Sequence, residues 1–260
     1  MEQVDIIKNS DERFGIAVLN APPLNIFTRH LKNRLRLALE ELEADDRVAV
    51  IIIAGAGGRA FSVGSDIKEL QATIESGAVK ERAEHENALN NYIERLAKPT
   101  IAAIDGYALG GGLEMALACD MRVCSENASL GFPEIKLALF PAGGGSERLP
   151  RLVGYARAIE LTLTGEAMDA ETALHIGLVN RVARGKSARE EAEALAGKIA
   201  RFPMDAIVRM KKVLRRGVTM DFDQANLLAI ADSVQAFGSV DAREGIKAFL
   251  EKREPKFNAH

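Results

Sequence analysis

Three successive glycines, Gly110 to Gly112, precede Glu114 in the stretch running from Asp105 to Asp120. Glycine lets a backbone approach a ligand closely and take angles that other residues resist. A helix beginning at this point would present unpaired N–H groups and the positive end of its dipole. That combination can stabilise negative charge on a carbonyl oxygen, with the Glu114 carboxylate in the first turn close beside it. A second carboxylate, Glu134, follows Pro133, which reads as the first position of a short helix. A third stretch, Gly64-Ser65-Asp66, joins an apolar run to a helix start, and the Ser65 backbone N–H could serve the same carbonyl. Each feature also has a structural explanation. The glycines allow tight strand–helix packing, Glu114 and Glu134 are favourable first-turn acids, and Asp66 is a good N-cap. Taken singly, the structural explanation is the stronger one for the glycine turn and for Glu134.

The elements that must position these residues alternate between strand and helix. Val4–Lys8 and Phe14–Asn20 read as a hairpin turning near Asn9-Ser10-Asp11. Thr28 can cap a helix to about Ala44, with Leu31, Leu35, Leu39 and Leu42 on one face. Val48–Ala54 is a continuous apolar run, as a fully buried strand requires. Asp66–Leu96 reads as helical with a break near Ser76-Gly77, and Pro99 ends it. Thr100–Asp105 and Met121–Ser125 read as strands flanking a small-residue helix, Leu113–Ala118. Beyond Gly154 the pattern predicts helices over Tyr155–Leu163, Asp169–His175, Ala188–Arg201, Met204–Arg216, Phe222–Phe237 and Val240–Lys252, with one strand at Leu178–Val182. The expected organisation is an α/β core over 1–200 and a helical region over 201–260 that docks on this core or on a neighbouring subunit.

Composition removes several functions. The chain has 260 residues, 47% hydrophobic and 27% charged, with a formal net charge of -3. Neither the charge nor the 5% aromatic content, without Trp, suits nucleic-acid binding. Cys119 and Cys124 lie in or beside apolar runs and lack a second ligand pair, so they read as buried free thiols and not as a zinc site. His30, His85, His175 and His260 have no partners at ligand spacing and are assigned no chemistry. No run of about 18 apolar residues predicts a membrane span. The acidic start, Met1-Glu2-Gln3-Val4-Asp5, is unlike a signal or transit peptide, and the expected location is the cytoplasm. G-x-G-x-x-G and the phosphate-binding loop motif are both missing.

In this order and spacing the stretches resemble the enoyl-CoA hydratase/isomerase (crotonase) superfamily, and most of all its hydratases. The similarity rests on Ala60-Phe-Ser-Val-Gly-Ser-Asp-Ile-Lys68, Lys98-Pro-Thr-Ile-Ala-Ala-Ile-Asp-Gly-Tyr-Ala-Leu-Gly-Gly-Gly-Leu-Glu114 and Phe132-Pro-Glu134. It continues through Pro141-Ala-Gly-Gly-Gly-Ser-Glu-Arg-Leu149, Leu163-Thr-Gly-Glu166, Ala173-Leu-His-Ile-Gly-Leu-Val179 and Ala248-Phe-Leu-Glu-Lys-Arg253. The resemblance implies an α/β fold, a spiral of strand-strand-helix turns with a C-terminal helical trimerisation region. The assembly it implies is a homotrimer or a homohexamer. It implies an acyl-CoA substrate, with the Ser65 and Gly111 N–H groups on the thioester oxygen and Glu114 and Glu134 as the catalytic pair. Their separation, 134 - 114 = 20, is that of the hydratases. Val63, Leu24, Asp66, Ile67, Lys68, Gly110 and Pro133 would line the substrate site, and Phe249 and Lys252 would reach CoA from the tail. No metal or redox cofactor is implied, and the setting would be fatty acid metabolism such as β-oxidation.

The chain departs from the family pattern at Val63 and Ser65, where alanines are usual, and at Ala142-Gly143, where the order is swapped. Asn20-Ala-Pro-Pro-Leu-Asn25 also replaces the usual Arg-Pro pair. The acyl-pocket lining is expected from Gln71–Ala97. The alternatives are a double-bond isomerase that needs only Glu134, a specialised 3-hydroxyacyl-CoA dehydratase, and a catalytically silent binding protein on the same fold.

Overall fold

The computed structural model describes residues 2–257; Met1 and 258–260, including His260, lie outside the described residues. The strands are β1 (Gln3–Asn9), β2 (Phe14–Asn20), β3 (Val50–Gly55), β4 (Ala60–Ser62), β5 (Thr100–Ile104), β6 (Tyr107–Leu109), β7 (Met121–Ser125), β8 (Ser129–Gly131), β9 (Ala167–Asp169) and β10 (Arg181–Ala183). The helices are α1 (Arg29–Ala44), α2 (Ile67–Ser76), α3 (Val79–Arg95), α4 (Gly111–Ala118), α5 (Gly145–Val153), α6 (Tyr155–Thr164), α7 (Ala170–His175), α8 (Ala188–Ala200), α9 (Met204–Gly217), α10 (Phe222–Phe237) and α11 (Val240–Leu250). A short 3-10 helix, Pro133–Leu137, follows β8.

Two sheets carry the fold. One has the order β1-β2-β3-β5-β7-β10 and the other β4-β6-β8-β9. Each turn of the chain places one strand in the first sheet and the next, short strand in the second. β3 and β4 lead to α2 and α3, β5 and β6 lead to α4, and β7 and β8 lead to the 3-10 helix. Within each sheet these successive strands pair in parallel. The result is the strand-strand-helix spiral that the resemblance implies.

The apolar run of β3 is buried on both faces. Ile51 and Ile53 pack with Leu35 and Leu39 of α1, while Val50 and Ile52 pack with Ala192 and Ala196 of α8. α1 starts where expected, Thr28 accepting the Leu31 N–H at 3.1 Å. At its end the buried Lys98 ammonium donates to the carbonyls of Leu42 (2.9 Å) and Asp45 (2.8 Å), a cation at the negative end of a helix. α2 and α3 break at Gly77, which is left-handed (φ 72). Cys119 and Cys124 are free and buried.

Two expectations are corrected. The expected strand Leu178–Val182 pairs only from Arg181, because Leu178 and Val179 both give their N–H groups to the Ala173 carbonyl and close α7. The second strand beyond Gly154, β9, is a three-residue partner of β8.

α9 is pinned to the core by Lys211, which binds Asp120 (2.6 Å) and the Lys98 carbonyl (2.8 Å), and by Arg215 on the Glu94 carbonyl. α10 and α11 expose large apolar groups, among them Phe222, Leu227, Phe237 and Phe249. An apolar groove of about 1200 Å³ runs between α8, α9 and α11. None of the described helices is long and apolar enough to cross a membrane.

Candidate active site

The glycine run is where two loops press together. Gly110 takes φ 52 and ψ -125 and caps α4 through its backbone alone. Its N–H bonds the Gly131 carbonyl and its carbonyl accepts from the Glu114 N–H, both at 3.0 Å. Facing it is Gly64 (φ 88), where a Cβ would come within 2.9 Å of both the Gly111 nitrogen and the Leu109 oxygen. A Cβ on Gly112 would stand 2.2 Å from the Ser62 carbonyl oxygen. Gly112→Ala is therefore expected to force α4 away from β4 at about 1–3 kcal/mol. A thermal melt would show a Tm about 5 °C lower; an unchanged Tm would contradict the contact.

Two backbone N–H groups border this junction. Gly111 is the first residue of α4, so its N–H has no partner within the helix. Ser65 forms a parallel bridge with Phe27, in which the Phe27 N–H goes to the Gly64 carbonyl and the Asp66 N–H to the Phe27 carbonyl. That pattern leaves the Ser65 N–H outside the ladder.

The two carboxylates flank the same loop. Glu134 Oε1 lies 2.9 Å from where a Cβ on Gly110 would be, and Glu114 Oε2 lies 3.9 Å from the corresponding point on Gly111. Glu114 is only 4% exposed. Its Oε1 accepts the N–H groups of Gly143 (2.8 Å) and Gly145 (2.9 Å). Burial pushes its pKa up to about 7, helped by the charges of Glu134 and Glu86 and opposed by the two N–H bonds. Glu134 is half-buried at the start of the 3-10 helix, and its Oε2 is buried with no hydrogen-bond partner in the protein. Burial raises its pKa as well, against the pull of its own backbone N–H.

The raised Glu114 pKa has a consequence for stability. Between the ordinary 4.5 and about 7 the folded chain keeps a proton that the unfolded chain has lost. Stability from this group therefore falls as pH rises through that window, by about 3 kcal/mol in all. Glu114→Gln keeps a carbonyl for the two N–H donors and removes the charge. Calorimetry is expected to find it more stable than native protein at about pH 8, with the gap closing towards about pH 5. A gap independent of pH would contradict the shift.

Of the other residues expected at the site, Val63 and Leu24 are joined by a backbone bond (Val63 N to Leu24 O, 3.1 Å) beside the Gly64 turn. Asp66 caps α2 by accepting the Lys68 N–H at 2.8 Å, and Ile67 and Lys68 are exposed in its first turn. Pro133 is the first residue of the 3-10 helix. Phe249 and Lys252 stand apart on the tail, Phe249 on α11 and Lys252 just after it, both exposed.

Several residues that shape the site carry no role in the sequence reading. Gly143 and Gly145 hold Glu114. Asn90, buried between Leu89 and Ile93 on α3, donates to the Gly143 carbonyl at 2.7 Å, and Asn87 donates to the Ala142 carbonyl at 2.6 Å. A polar residue among the apolar positions of α3 was the one available signal. Among the described residues no group of three or more His, Cys, Asp and Glu side chains could hold a metal ion.

The chain is similar to known proteins in sequence and in fold. The enoyl-CoA hydratase/isomerase family model matches residues 13–260. A probable enoyl-CoA hydratase of Bacillus subtilis (strain 168) is 39% identical, over 95% of this chain and 96% of that protein. A short-chain-enoyl-CoA hydratase of Clostridium acetobutylicum is 34% identical, over 98% and 97%. The crystal structure of an enoyl-CoA hydratase from Bacillus anthracis superposes with a TM-score of 0.93 at 33% identity, covering all (100%) of both chains.

Proposed function

The chain belongs to the enoyl-CoA hydratase/isomerase family and is an enzyme of the hydro-lyase kind, and from that premise we propose that it adds water reversibly to a 2-enoyl-CoA, giving a 3-hydroxyacyl-CoA. The observation that carries the reading is the pair of carboxylates on either side of the Gly110-Gly111 loop, both with raised pKa. Such a pair can share one proton near neutral pH, so that one member is base while the other is acid.

The thioester oxygen lies between the N–H groups of Ser65 and Gly111. As water adds, charge moves onto that oxygen, and the two donors stabilise the enolate-like transition state. Glu114, ionised, takes a proton from water as its oxygen bonds to Cβ. Glu134, protonated, delivers its proton to Cα. Dehydration runs the same steps backwards. Gly143 and Gly145 fix the direction of the Glu114 carboxylate, which an isomerase moving a proton with Glu134 alone would not need.

Val63, Leu24, Gly110, Pro133 and the first turn of α2 (Asp66, Ile67, Lys68) line the substrate site. Phe249 and Lys252 contact CoA across a subunit boundary in a homotrimer or homohexamer, whose formation would cover the apolar groups exposed on α10 and α11. The protein acts in the cytoplasm and needs no metal or redox cofactor.

A paired assay tests the reading. With a 2-enoyl-CoA the conjugated thioester absorbance is expected to fall as 3-hydroxyacyl-CoA accumulates. With a 3-enoyl-CoA it is expected to rise little. The reverse pattern would make the protein an isomerase, and no change with either would contradict both readings.

A further inference from the structure

The Ser65 hydroxyl plays no part in the steps above, yet it is engaged. Its Oγ donates to Glu86 Oε1 at 3.2 Å. The same oxygen is bound by Lys32 Nζ of α1 at 2.6 Å and lies 2.7 Å from Arg82 Nη2, one turn earlier on α3. Lys32 is 6% exposed, an unusual place for an ammonium. Lys32, Arg82 and Glu86 also line a cavity of about 270 Å³, together with Arg29, Glu69 and His85.

Buried ion pairs give little net stability, because desolvation offsets their attraction. What such a cluster can provide is a fixed geometry: Lys32 and Arg82 hold the carboxylate in place, and the Ser65 hydroxyl reaches it at 3.2 Å, a looser contact than a tight charge-assisted O–H···O bond. Here the bond ends on the residue whose backbone N–H borders the glycine junction.

We propose that Glu86 is a positioning residue for this reaction: anchored by Lys32 and Arg82, its carboxylate grips the Ser65 hydroxyl and sets the direction of the Ser65 N–H towards the thioester oxygen. The proposal rests on the hydratase reading. α1 and α3 thereby hold the loop before α2 from outside the site, and Glu86 itself touches no reacting atom. Burial works against its ionisation, but the charge and bond of Lys32, the charge of Arg82 and the bond from Ser65 outweigh burial and lower its pKa.

The test compares Ser65→Ala, Glu86→Gln and the double variant, with a thermal melt on each. Two readouts are used: crotonyl-CoA hydration, and the near-ultraviolet absorbance of the enolate formed when acetoacetyl-CoA binds. Each single variant is expected to lose about tenfold in kcat with KM little changed, and the double variant to lose about the same tenfold and not a hundredfold. Enolate absorbance is expected to weaken in parallel. Ser65→Ala removes one oxygen and carries the test even if Glu86→Gln proves unstable. Native kcat and native enolate absorbance in Ser65→Ala would overturn the proposal, as would losses that multiply in the double variant. A native chain that neither hydrates crotonyl-CoA nor produces the enolate absorbance would instead overturn the hydratase reading itself.

Discussion

Glu114→Gln and Glu134→Gln are each expected to lower kcat for hydration by about 10²–10⁴-fold, the usual worth of a positioned acid or base. Neither substitution changes the shape of the site. In Glu114→Gln the amide oxygen can still accept from Gly143 and Gly145, so the carboxamide stays in place and cannot take a proton from water. In Glu134→Gln the group beside Gly110 keeps its size and loses the proton that Cα must receive. Crotonyl-CoA binding is expected to stay within a few-fold of native. The effects are also expected to be non-additive, since a base without its acid accomplishes little. Steady-state kinetics on the three variants checks this. Turnover of Glu114→Gln at the native rate would remove Glu114 from the chemistry and leave a one-carboxylate reaction.

The second large effect concerns the oxyanion donors. Gly111 is the first residue of α4, a position that proline tolerates because its N–H is not used by the helix. Gly111→Pro deletes that N–H and is expected to cost about 10²–10³-fold in kcat, the worth of one oxyanion donor. Gly111→Ala is the matched control. A Cβ there would meet only ordinary contacts, 3.7 Å from Gly64 Cα and Ser65 Oγ, and the N–H is retained. Alanine is therefore expected to keep most of the activity. Equal losses in both variants would mean that bulk, and not the missing donor, is responsible.

What could be read along the chain and what could not divide on physical grounds. The glycine run and its two glutamates were legible because the demand on glycine is local: Gly110 must take φ 52 and Gly64 φ 88 wherever the rest of the chain goes. α1 was legible because Leu31, Leu35 and Leu39 repeat at helical spacing above a Thr28 cap. β4, β6, β8 and β9 were not, since a three-residue strand is too short to show a period. α5 was hidden by Pro150 within it. The residues that hold Glu114 were out of reach for a different reason. Gly143 and Gly145 meet it across 29 and 31 residues, and nothing in their own neighbourhood announces that contact. Glu86 looks like one more charge on a polar helix until Lys32 is seen buried against it from 54 residues away. The tail helices could be read from their periodicity, but periodicity does not say whether an apolar face meets this core or another chain.

The central claim is that water is added to a conjugated thioester by this pair of carboxylates. The most direct measurement mixes the native protein with crotonyl-CoA in oxygen-labelled water and follows both the conjugated absorbance and the position of the label. The account predicts falling absorbance and label on C3 of a 3-hydroxyacyl-CoA. Unchanged absorbance, or label recovered only in a carboxylic acid released from CoA, would contradict it.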